Sequence, residues 1–142
     1  MSVRQATAAD AGDIARLLHD FNTEYDEPTP GVEALAQRMR ELLAGDTVVL
    51  LAGDGPDGLA VLRLRSSIWT AGLECYLAEL YVVPALRGQG RGRALMEAAL
   101  ELARKRGADW MELNTDEGDV AARALYERLG FKATADYYER EL

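Results

Sequence analysis

The sequence predicts a mixed α/β fold, and three observations carry that prediction. Helical and strand-like apolar spacings alternate along the 142 residues. Three strand-like stretches follow one another in mid-chain with no helix between them, which argues against a doubly wound parallel sheet. A strand, a glycine-rich turn and a helix then lie in direct succession across residues 77–103.

Taken in order, residues 3–6 form a short strand. Thr7 or Asp10 can cap a helix that runs to Phe21–Tyr25, with Ile14, Leu17, Leu18 and Phe21 at helical spacing. A polar, proline-bearing break follows (24–31). The second helix spans 32–44, with Leu35, Met39, Leu42 and Leu43 as its buried stripe and Gly45 at its end. Residues 47–52 and 59–66 read as a hairpin around the turn cluster Gly53-Asp54-Gly55-Pro56-Asp57-Gly58. A loop with Trp69 leads to a strand over 74–83. The glycine turn opens a helix that ends at Gly107. A strand over 110–114, a helix over 120–129 capped by Asp119, and a last strand within 132–139 complete the chain. The order is β-α-α-β-β-β-α-β-α-β in one domain, residues 1–142.

Composition excludes several function classes. The formal net charge is −8, which argues against nucleic acid or an anionic membrane as the main partner. Residues 1–86 hold 6 Lys+Arg against 13 Asp+Glu, and residues 87–142 hold 10 against 11. The acid therefore sits in the first part, while the glycine turn is locally basic. Cys75 and His19 are each the sole residue of their type. A cysteine disulfide framework, a cysteine metal site and a His-based triad are thereby disfavoured, and no metal is expected. No signal peptide or membrane span is apparent, so a cytoplasmic protein is expected.

The stretch Arg87-Gly88-Gln89-Gly90-Arg91-Gly92-Arg93 offers backbone N–H groups at the positive end of a helix dipole, with arginines beside them. That is an anion site. It lacks the Lys-Ser/Thr of a P-loop and fails the Gly-x-Gly-x-x-Gly dinucleotide pattern from either starting glycine. An arginine-glycine RNA segment would be longer and disordered. What remains is Arg-x-x-Gly-x-Gly after a strand ending Leu80-Tyr81-Val82-Val83-Pro84, followed downstream by Ala124-Leu125-Tyr126-Glu127-Arg128-Leu129-Gly130-Phe131. This set resembles the GNAT acetyltransferase superfamily, strongly over residues 74–131 and by element order elsewhere.

The resemblance implies the GNAT fold, with a six- or seven-stranded central sheet flanked by four helices. It also implies an acetyl-CoA-dependent N-acetyltransferase. Acetyl-CoA would lie on Tyr81, Val82 and Val83 and on Arg87, Gly88, Gln89, Gly90, Arg91, Gly92 and Arg93, with Asn114 nearby. The N–H of Val82 would hold the thioester carbonyl. Tyr126 would protonate the departing thiolate. Glu79, then Glu112, would act as base, with Glu74 a third carboxylate in play. Period-two alternation puts Glu79 with Tyr81 on one face and Glu74 with Tyr76 and Leu80 on the other.

One departure stands out: many relatives carry Asn seven residues before the tyrosine, where this chain has Asp119. Acid at the mouth of a site suits a cationic amine, so the expected acceptor is a small aminoglycoside- or polyamine-like molecule. Glu24, Tyr25, Trp69 and Glu74 are the candidate acceptor contacts. A protein N-terminal or lysine acceptor, and a CoA-binding module without turnover, stay open. The resemblance also admits a homodimer.

Overall fold

The computed structural model describes residues 1–142. It divides into two compact units, 1–112 and 113–142. In the first, β1 (Val3–Gln5), α1 (Ala11–Glu24), α2 (Val32–Leu43), β2 (Thr47–Ala52), β3 (Gly58–Ser66), β4 (Leu73–Val82), α3 (Arg91–Lys105) and β5 (Ala108–Glu112) follow in order. The second contains α4 (Val120–Arg128). No helix is long and apolar enough to cross a membrane.

The sheet order is β1-β2-β3-β4-β5. The first four strands are antiparallel neighbours, and β5 runs parallel to β4. All six residues of β2 are buried, as a continuous apolar run requires when both faces of a sheet are covered. On one face Ile14 and Leu17 of α1 and Met39 of α2 meet Val49, Leu51, Leu59, Val61 and Tyr81. The other face lies against α3, whose Leu95, Met96 and Ala99 are fully buried. Cys75 belongs to that second face and is inaccessible. Burial pushes its thiol up to about 11, so it packs as a small apolar group.

The start of α1 is tied by charge. Asp10 accepts from the Thr7 N–H at 2.8 Å and from both terminal nitrogens of Arg4. The guanidinium holds the Asp10 carboxyl down at about 2. The β2–β3 turn needs its glycines. The Asp57 carboxylate occupies the space that a Cβ on Gly53 or Gly55 would take. Asp57 also accepts the Val83 N–H on its carbonyl at 2.9 Å, which fixes the turn beside the end of β4.

The structure corrects the sequence reading in three places. The expected last strand within 132–139 does not form; residues 131–142 hold no helix or strand, so the sheet has five strands. The strand expected at 110–114 is Ala108–Glu112, which leaves Asn114 beyond it. The third correction concerns β4. Val61 pairs with Glu79 but Leu62 pairs with Leu77, so Ala78 is an extra residue, a β-bulge. Directly opposed residues share a face. Glu74 and Tyr76, opposite Arg65 and Arg63, therefore lie on the same face as Glu79 and Tyr81, opposite Val61 and Leu59. Leu80 goes to the other face. Simple alternation fails because the bulge consumes one residue without advancing the register.

Candidate active site

The glycine stretch forms a turn and the first turn of α3. A short 3-10 turn, Pro84–Leu86, closes β4, and Leu86 donates back to the Val83 carbonyl at 3.0 Å. Gly88 and Gly90 have φ of +76° and +86°, a region that L side chains rarely occupy. A Cβ at either would meet nothing within 4 Å, so the backbone conformation, not crowding, demands glycine. Gly90 is the N-cap of α3, and no side chain caps that end. Arg91, Gly92 and Arg93 thus form the first turn of a helix with an uncapped positive pole.

The arginines of this stretch do different work. Arg93 is exposed and pairs with Glu97 one turn on, at 2.7 Å. Arg91 is largely covered, with its Nε 3.8 Å from Asp57 Oδ2 and without a hydrogen-bond partner, while its Nη1 donates to Gln89 Oε1 at 3.2 Å. Arg87 turns toward α1. Its Nε donates to the Val82 carbonyl at 2.9 Å, and its two terminal nitrogens donate to the Glu24 carboxylate at 2.8 and 2.7 Å. The guanidinium also lies 5.5 Å from the Tyr81 ring centroid. Tyr81 is stacked on Phe21 at 4.9 Å, and Phe21 meets Tyr25 edge-on. The bidentate Arg87 holds the Glu24 carboxyl below the usual range. Glu24, expected at the acceptor site, therefore has its charge compensated by a residue expected at the cofactor.

The edge of β4 is half open. Its pairing with β5 ends at Tyr76 opposite Glu112, and beyond that point no strand lies on that side. Val83 donates to Asp57 across the β3 side. Alternation therefore turns the N–H groups of Val82 and Leu80 away from β3, toward the open edge. The Arg87 Nε contact with the Val82 carbonyl lies on that same side.

The three candidate carboxylates part company. Arg65 donates to Glu74 at 2.9 Å and to Glu112 at 3.2 Å, so both are ion-paired. The parallel register puts Glu74 beside Trp110 and Tyr76 beside Glu112, which gathers these side chains on one exposed stretch of sheet. Glu79 has no such partner. It lines a cavity of about 220 Å³ formed by α1, the 25–31 segment, α2, β3 and β4. Burial alone pushes its carboxyl above the ordinary range. The bulged Ala78 lines the same cavity. The acceptor candidates do not converge: Trp69 is 89% exposed on the β3–β4 loop and Tyr25 is also exposed, while Glu74 is held by Arg65. No group of three or more His, Cys, Asp or Glu side chains is placed to hold a metal ion.

In the second unit Asp119 caps α4, accepting from the Ala122 N–H at 3.1 Å. Tyr126 is buried and meets Phe131 edge-on at 6.0 Å between centroids. Burial, with the Asp119 charge adding to it, pushes the phenol up to about 12. It is a neutral proton donor at physiological pH.

Comparison with known proteins decides the family. The model of the acetyltransferase (GNAT) family matches residues 13–131. The chain belongs to the GNAT acetyltransferases. That match runs through both units and includes the glycine stretch, Glu79 and Tyr126. Among solved structures of GNAT proteins, one from Arthrobacter sp. FB24 described as an acetyltransferase is 49% identical, with a TM-score of 0.92, over 100% of this chain and 96% of that one. An aminoglycoside N(6')-acetyltransferase type 1 of Stenotrophomonas maltophilia is 33% identical over 94% of this chain and 87% of its own length. A mycothiol acetyltransferase of Beutenbergia cavernae is 36% identical over 81% of this chain, which spans only 38% of that protein. As a GNAT protein with such relatives, the chain is an N-acetyltransferase.

The sequence signals missed one partner of the site. Asp57 carried only a turn signal, and its contact with Arg91 depends on how the hairpin meets α3.

Proposed function

We propose that residues 1–142 form one acetyltransferase domain that moves an acetyl group from acetyl-CoA to a primary amine of a small cationic molecule by direct attack. The observation that carries this reading is the placement of Glu79: a half-buried carboxylate without a cationic partner, on the wall of a cavity sized for a small molecule. Burying such a group costs stability, and a carboxylate with a raised pKa is suited to take a proton from an ammonium near neutral pH.

The residues of the turn fit a CoA diphosphate. Gly88 and Gly90 leave open space in front of the backbone, the first turn of α3 is uncapped, and Arg91 brings a guanidinium nitrogen with no hydrogen-bond partner. Gln89, Gly92 and Arg93 complete the cradle. Acetyl-CoA supplies the activated acetyl thioester. Tyr81, Val82 and Val83 would line its path, the outward N–H of Val82 would hold the thioester carbonyl, and Asn114 is the further residue that the family resemblance assigns to it. Glu79 takes the proton of the acceptor ammonium, and Tyr126 gives one to the departing sulfur. Glu112 and Glu74, tied to Arg65, shape the sheet surface next to the site. Acetyl-CoA is an internal metabolite, so the reaction belongs in the cytoplasm.

The aminoglycoside acetyltransferase among the relatives supports a small amine acceptor, and a cavity of about 220 Å³ is of a size for one. The test is CoA thiol release over a panel of small amines, run with the wild type and with Glu79→Gln and Tyr126→Phe. Release that is lost in both variants supports the reading. CoA binding with no release on any acceptor, and no effect of either variant, would leave a CoA-binding module without turnover.

A further inference from the structure

We infer that the cavity on the α1–α2 face takes an amine that also carries an anionic group, so that the acceptor is amino-acid-like and not a polycation. This rests on the acetyltransferase reading above and replaces its net cationic acceptor with a zwitterionic one.

The argument starts from the charges on the cavity wall. Glu79 is one of them, and two arginines share the wall with it, Arg63 of β3 and Arg38 of α2, with side chains 41% and 69% exposed. The rest of the wall is largely apolar, chiefly Leu18, Met39, Leu42 and Val61. The acids that pair with the arginines do not line the cavity. Arg63 gives its Nε to Asp46 Oδ1 at 3.1 Å, and Arg38 gives Nη1 to Glu41 at 3.2 Å. A guanidinium has five N–H donors, so neither contact exhausts its arginine. The cavity thus has one unpaired carboxylate and two partly exposed arginines on its wall, around an apolar middle.

Register sets the strand positions from which the two charged side chains start. Glu79 sits opposite Val61, and Arg63 is two residues along β3 on the same face. Diagonal neighbours of this kind are about 7–8 Å apart. An ammonium held by Glu79 would therefore have its far end near Arg63, at a distance that a short methylene chain covers. A second ammonium there would meet two guanidinium groups and suffer like-charge repulsion. A carboxylate there would gain charge-assisted hydrogen bonds.

Three acceptors of matched length test this: 5-aminopentanoate, pentylamine and cadaverine, which end in an anion, a methyl group and a cation. The full-length protein is assayed with acetyl-CoA by thiol release, and CoA binding is measured separately by calorimetry. The expected order of kcat/KM is anion, then neutral, then cation, with the first two separated by about five- to tenfold, as fits a partly exposed charge pair. Arg63→Gln should bring the ratio of aminopentanoate to pentylamine near unity, and Arg63→Lys should retain most of it. Cadaverine as the best acceptor, or a ratio unchanged in both Arg63→Gln and Arg38→Gln, would overturn the inference. So would three inert amines with CoA still bound. Three inert amines with no CoA binding would instead bring down the acetyltransferase reading on which the inference stands.

Discussion

Replacing Glu79 by Gln keeps the shape of the cavity wall and removes its carboxylate charge. In the wild type the Glu79 carboxylate takes the proton of the acceptor ammonium, so kcat/KM should rise with pH through the raised pKa of Glu79 and then level off, because a neutral amine needs no base. In Glu79→Gln only acceptor that is already neutral can react. For an amine with a pKa of about 10, roughly one molecule in a thousand is neutral at pH 7. The expected loss at pH 7 is therefore about 10³-fold, inside the range of about 10²–10⁴ for general-base catalysis. Activity should recover as the pH is raised, turning a profile that levels off above the Glu79 pKa into one that climbs up to the pKa of the amine. Stability should move the other way. The folded-state pKa of Glu79 is raised by burial, so the folded protein holds this proton more tightly than the unfolded chain does. Its contribution is fully present below the unfolded pKa and is lost as pH rises through the folded value. Glu79→Gln should thus match or exceed the wild type in Tm at pH 7, with the advantage vanishing in acid. Steady-state profiles from pH 5 to 10 with parallel melts read both effects. Activity within threefold of wild type at pH 7, on an unchanged profile, would refute the assignment.

Other perturbations reach the rest of the site. Tyr126→Phe should lower kcat by about 10²-fold or more, if the phenol is the proton donor, with little change in melting temperature; pre-steady-state thiol release locates the step. Gly90→Ala must place a side chain at φ +86°, which should cost about 1–2 kcal/mol in urea denaturation and weaken CoA binding by calorimetry. Arg87→Ala breaks the bidentate pair with Glu24 and the bond to the Val82 carbonyl; for side chains 39% and 28% exposed the expected cost is about 1 kcal/mol. Glu24 has a depressed folded-state pKa, so its contribution is present above the unfolded pKa and is lost as pH falls through the folded one. The Arg87→Ala deficit should shrink correspondingly in acid melts.

Much of this was legible in the residues, and the failures have physical causes. Helical spacing in α1, α2 and α3 and the unbroken apolar run of β2 were readable because each depends on a local period. The glycine turn was readable because positive φ leaves few alternatives to glycine. The faces of β4 were not, since a bulge at Ala78 carries no mark in the chain beyond a small residue. The partners of the carboxylates were not either. That Arg65 takes Glu74 and Glu112 while Glu79 stands alone depends on register across three strands. The motif offers the backbone of Arg87 to the cofactor, and its side chain turns to Glu24, 63 positions earlier in the chain, a long-range contact that no local pattern encodes. The tail after Phe131, expected to hold a strand, holds neither helix nor strand.

The extra residue in β4 makes this strand a two-way adapter. One half of its length answers to the hairpin partner in one phase, the other half in the opposite phase, and Ala78 is the joint. Deleting that single alanine would leave Leu77 opposite Leu62 and Glu79 opposite Val61, so every other side chain would keep its present face. What would be lost is the local bend and extra twist that a bulge gives a strand, at the point where Ala78 and Glu79 reach the cavity wall. Ironing the strand flat with Ala78 retained is the change that would turn one half over, carrying either Glu74 and Tyr76 or Glu79 and Tyr81 toward α3.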